Sequence, residues 1–303
     1  MWRKLSCLLL CIAMLAGLAG CGKADSDTDK AKDKTTNKVA DIKKADTDAN
    51  GAAAADMAEQ NKAYGAALWD IYLYGLLPDG SKLDYSGTQQ AEDDTFAIYD
   101  VDNDGREELV VLWANASVAW CQGLIYGYDN GELHEELSEF VDMRFYSNGA
   151  VEANWSHNQG LGSRIWPYNV YTYDAKTDTY RHFGTVDGWD KRFVDTFYAS
   201  GEPFPDDLDQ DGDGLIYFLY SGEEIPTFGD EDKAQRVDGR EYEAWRWLYL
   251  HGATEITLPT KYITPDNITP LGCPMPRSAR DIKEPPPQVV SLRRGCFFGH
   301  QTK

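Results

Sequence analysis

Apolar residues change their spacing along this chain, and the change separates its elements. In "ADMAEQNKAYGAALWDIYLYGLL", residues 55–77, Met57, Tyr64, Leu68, Ile71, Tyr72 and Leu76 recur at helical intervals, which predicts an N-terminal packing helix with Asp56 as cap and Pro78 as stop. From Phe96 the spacing becomes two. "FAIYD" and "ELVVLWA" flank an acidic loop; "GLIYGYDNGELHEEL" turns at Asp129 to Gly131; "MRFYSNGAVEANW" turns at Asn148-Gly149; "IWPYNVYTYDAKTDTYRHFGTV" turns around Ala175 to Asp178. Alternating segments joined by such dipeptides are consecutive hairpins. The pairs Tyr126/Tyr128 and Tyr171/Tyr173 add a weak internal repeat, too short for a closed propeller. "REYEAWRWLYLHG" predicts a second helix near 240–251, with Trp245 and Leu248 on its buried side. The expected fold is mainly β (α+β): an antiparallel meander of hairpins, propeller-like or sandwich-like, over residues 56–275.

The ends of the chain have another character. Residues 1–20 place Arg3 and Lys4 before an apolar stretch, Leu8 to Leu18, that is too short for a membrane span and reads as a signal peptide. Leu18, Ala19, Gly20 and Cys21 resemble the lipobox of bacterial lipoproteins. That resemblance implies cleavage before Cys21, acylation of its thiol and a palmitate-type anchor in the cell membrane. Residues 21–55 interleave Lys and Asp with almost nothing to bury, the composition of a disordered tether. Random-coil scaling gives it a reach of roughly 30 Å. Residues 276–303 shift to a basic balance around three successive prolines and predict a disordered tail, or a read-through in the wrong frame at the end of the gene.

Formal charge is -21, and removal of Arg3 and Lys4 with the signal peptide brings it to -23. Nucleic acid is excluded as a partner on that ground, and cations are favoured. Beyond Cys21 the exported chain keeps Cys121, Cys273 and Cys296, an odd number without paired spacing, so these cysteines suggest neither a disulfide framework nor a zinc site. One bridge among the three is open.

"YDVDNDGREELVVLW", Tyr99 to Trp113, carries the sharpest chemistry. Asp100, Asp102 and Asp104 alternate ahead of Gly105, with Glu108 behind, so alternate oxygens curl around one hard cation while the glycine lets the loop close. Calcium suits that pattern, with the carbonyl of Arg106 as a further ligand. Strand-like flanks, and Val111 at position twelve, exclude a helical EF-hand. The segment is similar to the calcium loops of FG-GAP repeats in integrin-type propellers and to dockerin loops, which implies a calcium-binding β-turn. A second cluster, "DDLDQDGDGLIYFLY", offers Asp207, Asp209, Asp211 and Asp213. It lacks a closing acid in either register, and Asp206 or Glu223 are the acids within reach.

Lipobox, tether, helix and "Y-D-x-D-x-D-G-x-x-E-L" together resemble uncharacterised lipoproteins of Gram-positive bacteria. The resemblance implies an extracytoplasmic, lipid-anchored location and a metal, and no substrate.

Catalytic motifs fall short. "HEELS" at His134 to Ser138 lacks the second histidine of a zinc protease, and "GLGSRI" lacks the third glycine of a dinucleotide loop. His157, beside a glycine-rich stretch, is an acid-base candidate, and Trp155, Trp166 and Trp189 are read as core packing ahead of a glycan-binding face. The function expected is a non-catalytic, calcium-stabilised domain that binds a cell-wall glycan or an envelope protein. The alternative is a glycan- or wall-active hydrolase built on a carboxylate pair.

Overall fold

In the computed structural model, which describes residues 35–83, 90–116, 121–157, 164–196, 201–227 and 230–276 (35–53 as backbone), every period-two segment is a strand. Two compact units divide the chain, residues 1–52 and 53–303, and the second holds both sheets. One sheet has five strands in the order β12-β1-β2-β3-β4: Lys261–Tyr262, Thr95–Tyr99, Glu108–Trp113, Gln122–Asp129 and Glu132–Glu139. The other has seven, ordered β10-β9-β8-β7-β6-β5-β11: Gln235–Val237, Leu215–Ser221, Thr179–Asp190, Tyr168–Asp174, Val151–Asn154, Met143–Tyr146 and Glu255–Ile256. All pairings are antiparallel, and β1 to β4 and β5 to β9 follow chain order as meanders.

Alternation within the strands decides the layers. Ala97, Val110, Ile125 and Leu137 meet Phe145, Val151, Ala153, Tyr171 and Tyr180 between the sheets. Their chain neighbours Phe96, Leu109, Val111, Leu124 and Tyr126 face the other way and pack on Tyr64, Leu68, Trp69 and Ile71 of helix α1, Thr35–Tyr74. On the far face of the larger sheet, Tyr168, Val170, Val186 and Leu219 meet Tyr242, Trp245 and Tyr249 of helix α2, Gly239–Leu250. The result is helix, sheet, sheet, helix, with apolar faces buried at each seam. Of the two β arrangements expected, this is the sandwich. At roughly 25 cal/mol per Å² of apolar surface, the fully buried Trp69, Trp189, Phe96 and Phe218 each stabilise it by about 2 to 3 kcal/mol.

Several sequence expectations are corrected. Asp56 is not a cap: it lies inside α1, whose backbone runs back through the alanines at 52–55 to Thr35, and Ala is the strongest helix former. The same helix covers the end of the segment expected as a tether. Met57 is exposed, because the buried stripe begins at Gln60 and Tyr64. On α2, Trp245 is buried but Leu248 is exposed, since the stripe Tyr242, Trp245, Tyr249 leaves position 248 about 100° round the helix. Trp189 is fully buried as core packing requires, whereas Trp166 is exposed. Cys121 and Cys273 form no bridge with each other. Cys21, Cys296 and the segments expected as signal peptide and basic tail lie outside the described residues, among which no helix is long and apolar enough to cross a membrane.

Candidate metal centre

The loop between β1 and β2 is closed by its own aspartates. Asp100 Oδ2 accepts from the amide of Gly105 (3.1 Å), Asp102 Oδ1 from Asp104 (2.9 Å) and Asp104 Oδ1 from Arg106 (2.7 Å). Glu108 reaches back from β2 so that its Oε2 accepts from the amide of Val101 at 2.9 Å. Asn103 (φ 65°) and Gly105 (φ 96°) supply the left-handed turns. These bonds occupy one oxygen of each aspartate. Asp100, Asp102 and Glu108 each present an oxygen within 4.8 Å of the others, Asp104 groups instead with Asp102 and Asp178, and Asp100 Oδ1 and Asp102 Oδ2 are buried without a partner.

Burial sets the electrostatics here. Loss of water, followed by the charge of Asp102, pushes the Glu108 carboxyl up to about 10, and loss of water raises Asp102 to about 6. At an effective dielectric near 20, two ionised carboxylates 4.8 Å apart repel by about 3 to 4 kcal/mol, so the group is stable only with a proton or a cation among its oxygens.

Neighbouring elements pin the loop from both sides. Gln60 and Tyr64 of α1 both donate to the carbonyl of Glu107, the latter at 2.7 Å. Gly149, in the β5–β6 turn of the larger sheet, lies against the carbonyl of Asp102, where a Cβ would stand only 2.3 Å away. The loop therefore sits where the two sheets meet. Arg106 occupies position seven of the loop, and its guanidinium bonds the carbonyl of Tyr128.

The second acidic loop repeats the first, bond for bond. Asp209 Oδ2 accepts from Gly214 (3.0 Å), Asp211 Oδ1 from Asp213 (3.0 Å) and Asp213 Oδ1 from Leu215 (2.8 Å). Asp209 Oδ1 is buried and unpartnered, as Asp100 Oδ1 is. The register thus starts at Asp209. Asp207 is exposed and stands outside the group. The closing acid is Asp238, 29 residues from Asp209 in the chain, whose Oδ2 accepts from Gln210 at 3.0 Å as Glu108 does from Val101. The same residue caps α2 through Gly239. Sequence reading missed it because no local spacing links Asp238 to the loop; an Asp directly before a helix, ahead of Gly239, was its one signal. The two acids within sequence reach are otherwise engaged: Asp206 with Lys191, and exposed Glu223 with Arg181 at 3.9 Å. The loops also differ at their third aspartate: Asp213 Oδ2 is taken by Arg164 at 3.0 Å.

His157 is exposed and bonds Ser156. "HEELS" lies on strand β4, which removes the helical zinc-protease geometry. No match to this chain is found among family models, curated proteins or solved structures, so its chemistry is read from its own residues.

Proposed function

We propose that this chain is a lipid-anchored, extracytoplasmic lipoprotein whose sandwich domain is held in shape by calcium and serves in binding a cell-wall glycan or envelope protein. The observation that carries the metal assignment is the repetition: two loops far apart in sequence share one hydrogen-bond pattern and leave the same first-position oxygen buried and unpartnered. Each closes with a carboxylate on the second amide. Oxygen-only donors at alternate positions, with a glycine for the sharp turn, suit a hard cation such as calcium. The anchor rests on Cys21 and the apolar leader.

A hydrolase would need room for a sugar ring between two carboxyl groups. Glu108 and Glu136 line one small cleft together with Gln60, Arg106 and Tyr128. Calcium titration followed by the melting midpoint tests the metal: a midpoint that excess chelator leaves unmoved rejects it. Intact mass of the native product tests the anchor, since an unacylated Cys21 rejects that part.

A further inference from the structure

Beside the first loop lies a different set of donors. His134 and Glu136 stand two apart on β4, at a bulge that leaves Glu136 without a partner residue on β3, and both side chains turn toward Gly127. Opposite them Gly127 of β3 leaves the space they fill: a Cβ there would stand 2.2 Å from Glu136 Oε1 and 2.7 Å from the His134 ring. Asp178 arrives from the β7–β8 turn, its Oδ1 accepting from Tyr173 at 2.5 Å. That leaves Oδ2 facing His134 Nε2 at 3.1 Å, while Glu136 Oε1 is 3.8 Å from the same nitrogen.

We propose that His134, Glu136 and Asp178 form a second metal site, for a first-row divalent transition metal such as Zn²⁺, distinct in donor type from the calcium loops. Three ligand atoms, one imidazole nitrogen and two carboxylate oxygens, lie within 4.8 Å of one another. Two ligands about 2.1 Å from a tetrahedral ion stand about 3.4 Å apart, and the 3.1 and 3.8 Å separations straddle that value. An independent observation points to a ligand. The Glu136 side chain is 1% exposed and its Oε2 has no partner, and His134 Nε2, though close to both acids, is aligned for a hydrogen bond with neither. Nitrogen among the donors selects against calcium and for the borderline metals. Arg106, on the same cleft wall, turns its guanidinium to Tyr128 and Asp129.

The site adjoins the first loop, since Asp178 also lies within 4.8 Å of Asp102 and Asp104 and Glu136 lines one cleft with Glu108, so the test is run with and without calcium. The purified full chain is titrated with Zn²⁺ by calorimetry and with Co²⁺ by visible absorption. One equivalent of Zn²⁺ is expected to bind, with Co²⁺ giving the intense bands of a four-coordinate site. His134→Ala and Glu136→Gln should each weaken Zn²⁺ by at least about 10-fold and leave calcium binding at Asp209, Asp211 and Asp238 in place. No bound equivalent, or Zn²⁺ affinity unchanged in both variants, overturns the proposal. Should either variant lose its near-UV dichroism, the Co²⁺-loaded native chain decides: a hyperfine-shifted imidazole N–H resonance is expected, and its absence overturns the site.

Discussion

Replacing Glu108 with Gln separates what the proton does from what calcium does. In the calcium-free protein at pH 7, a carboxyl raised to about 10 is protonated, and Gln is its neutral isostere, able to accept from the Val101 amide with the same oxygen. Fold stability without calcium should therefore change by less than about 1 kcal/mol. With calcium the two proteins diverge. At a concentration 100 times Kd, one site contributes about 2.7 kcal/mol; if Gln weakens that site about 100-fold, about 0.4 kcal/mol remains, and the loss of about 2.3 kcal/mol lowers the midpoint by about 5 to 9 °C. The second loop contributes equally to both and cancels. Glu108 also gives the pH sign: folding raises its pKa, so calcium-free stability is greatest below the ordinary glutamate range and falls as pH rises toward about 10. Calcium must displace that proton. Calorimetry in buffers of different ionisation enthalpy should find about one proton released at the first loop at pH 7, and none there in Glu108→Gln. The assay is paired thermal melts with calcium and with chelator. A variant already destabilised in chelator, or one that keeps the full calcium increment, refutes the reasoning.

Asp238→Asn keeps a helix cap but removes the charge, so calcium stoichiometry should fall from two to one with little loss in chelator, whereas Asp238→Ala should cost a further ~1 kcal/mol by equilibrium denaturation. Gly149→Ala must hold φ 82° with a Cβ 2.3 Å from the Asp102 carbonyl, so a loss of about 1 to 3 kcal/mol and weaker calcium binding are expected together. Arg246→Leu removes the closer of two guanidiniums from Glu152, which is 2% exposed and keeps Tyr146, Tyr249 and, at 3.7 Å, Arg144; urea melts should show a loss of about 1 to 3 kcal/mol, and no loss would exclude α2 docking as drawn.

The strands were legible because each seam of the sandwich buries one face of a sheet, and a period of two survives as Ala97/Val110/Ile125 against Phe96/Leu109/Leu124. The first loop was legible for a related reason: all its carboxylates lie within nine consecutive residues, so spacing alone carries the geometry. What could not be read was anything joined through space. Asp238 closes the second loop from the start of a helix, and Asp178 meets His134 and Glu136 from another sheet. Leu248 misled because a helix carrying Trp245, Trp247, Leu248 and Tyr249 is apolar over more than one face, and docking, not periodicity, chose the face.

Asp238 fastens three things at once: the second loop, the end of β10 and the first turn of α2. Calcium depletion should therefore peel the protein in order, outermost helix first, with amide exchange in the opening turn of α2 quickening before that of β2 and β3, where Leu109, Val110 and Ile125 are wholly enclosed. A cation bound on one side of the molecule would in this way govern whether the surface carrying Trp247 and Leu248 keeps its shape.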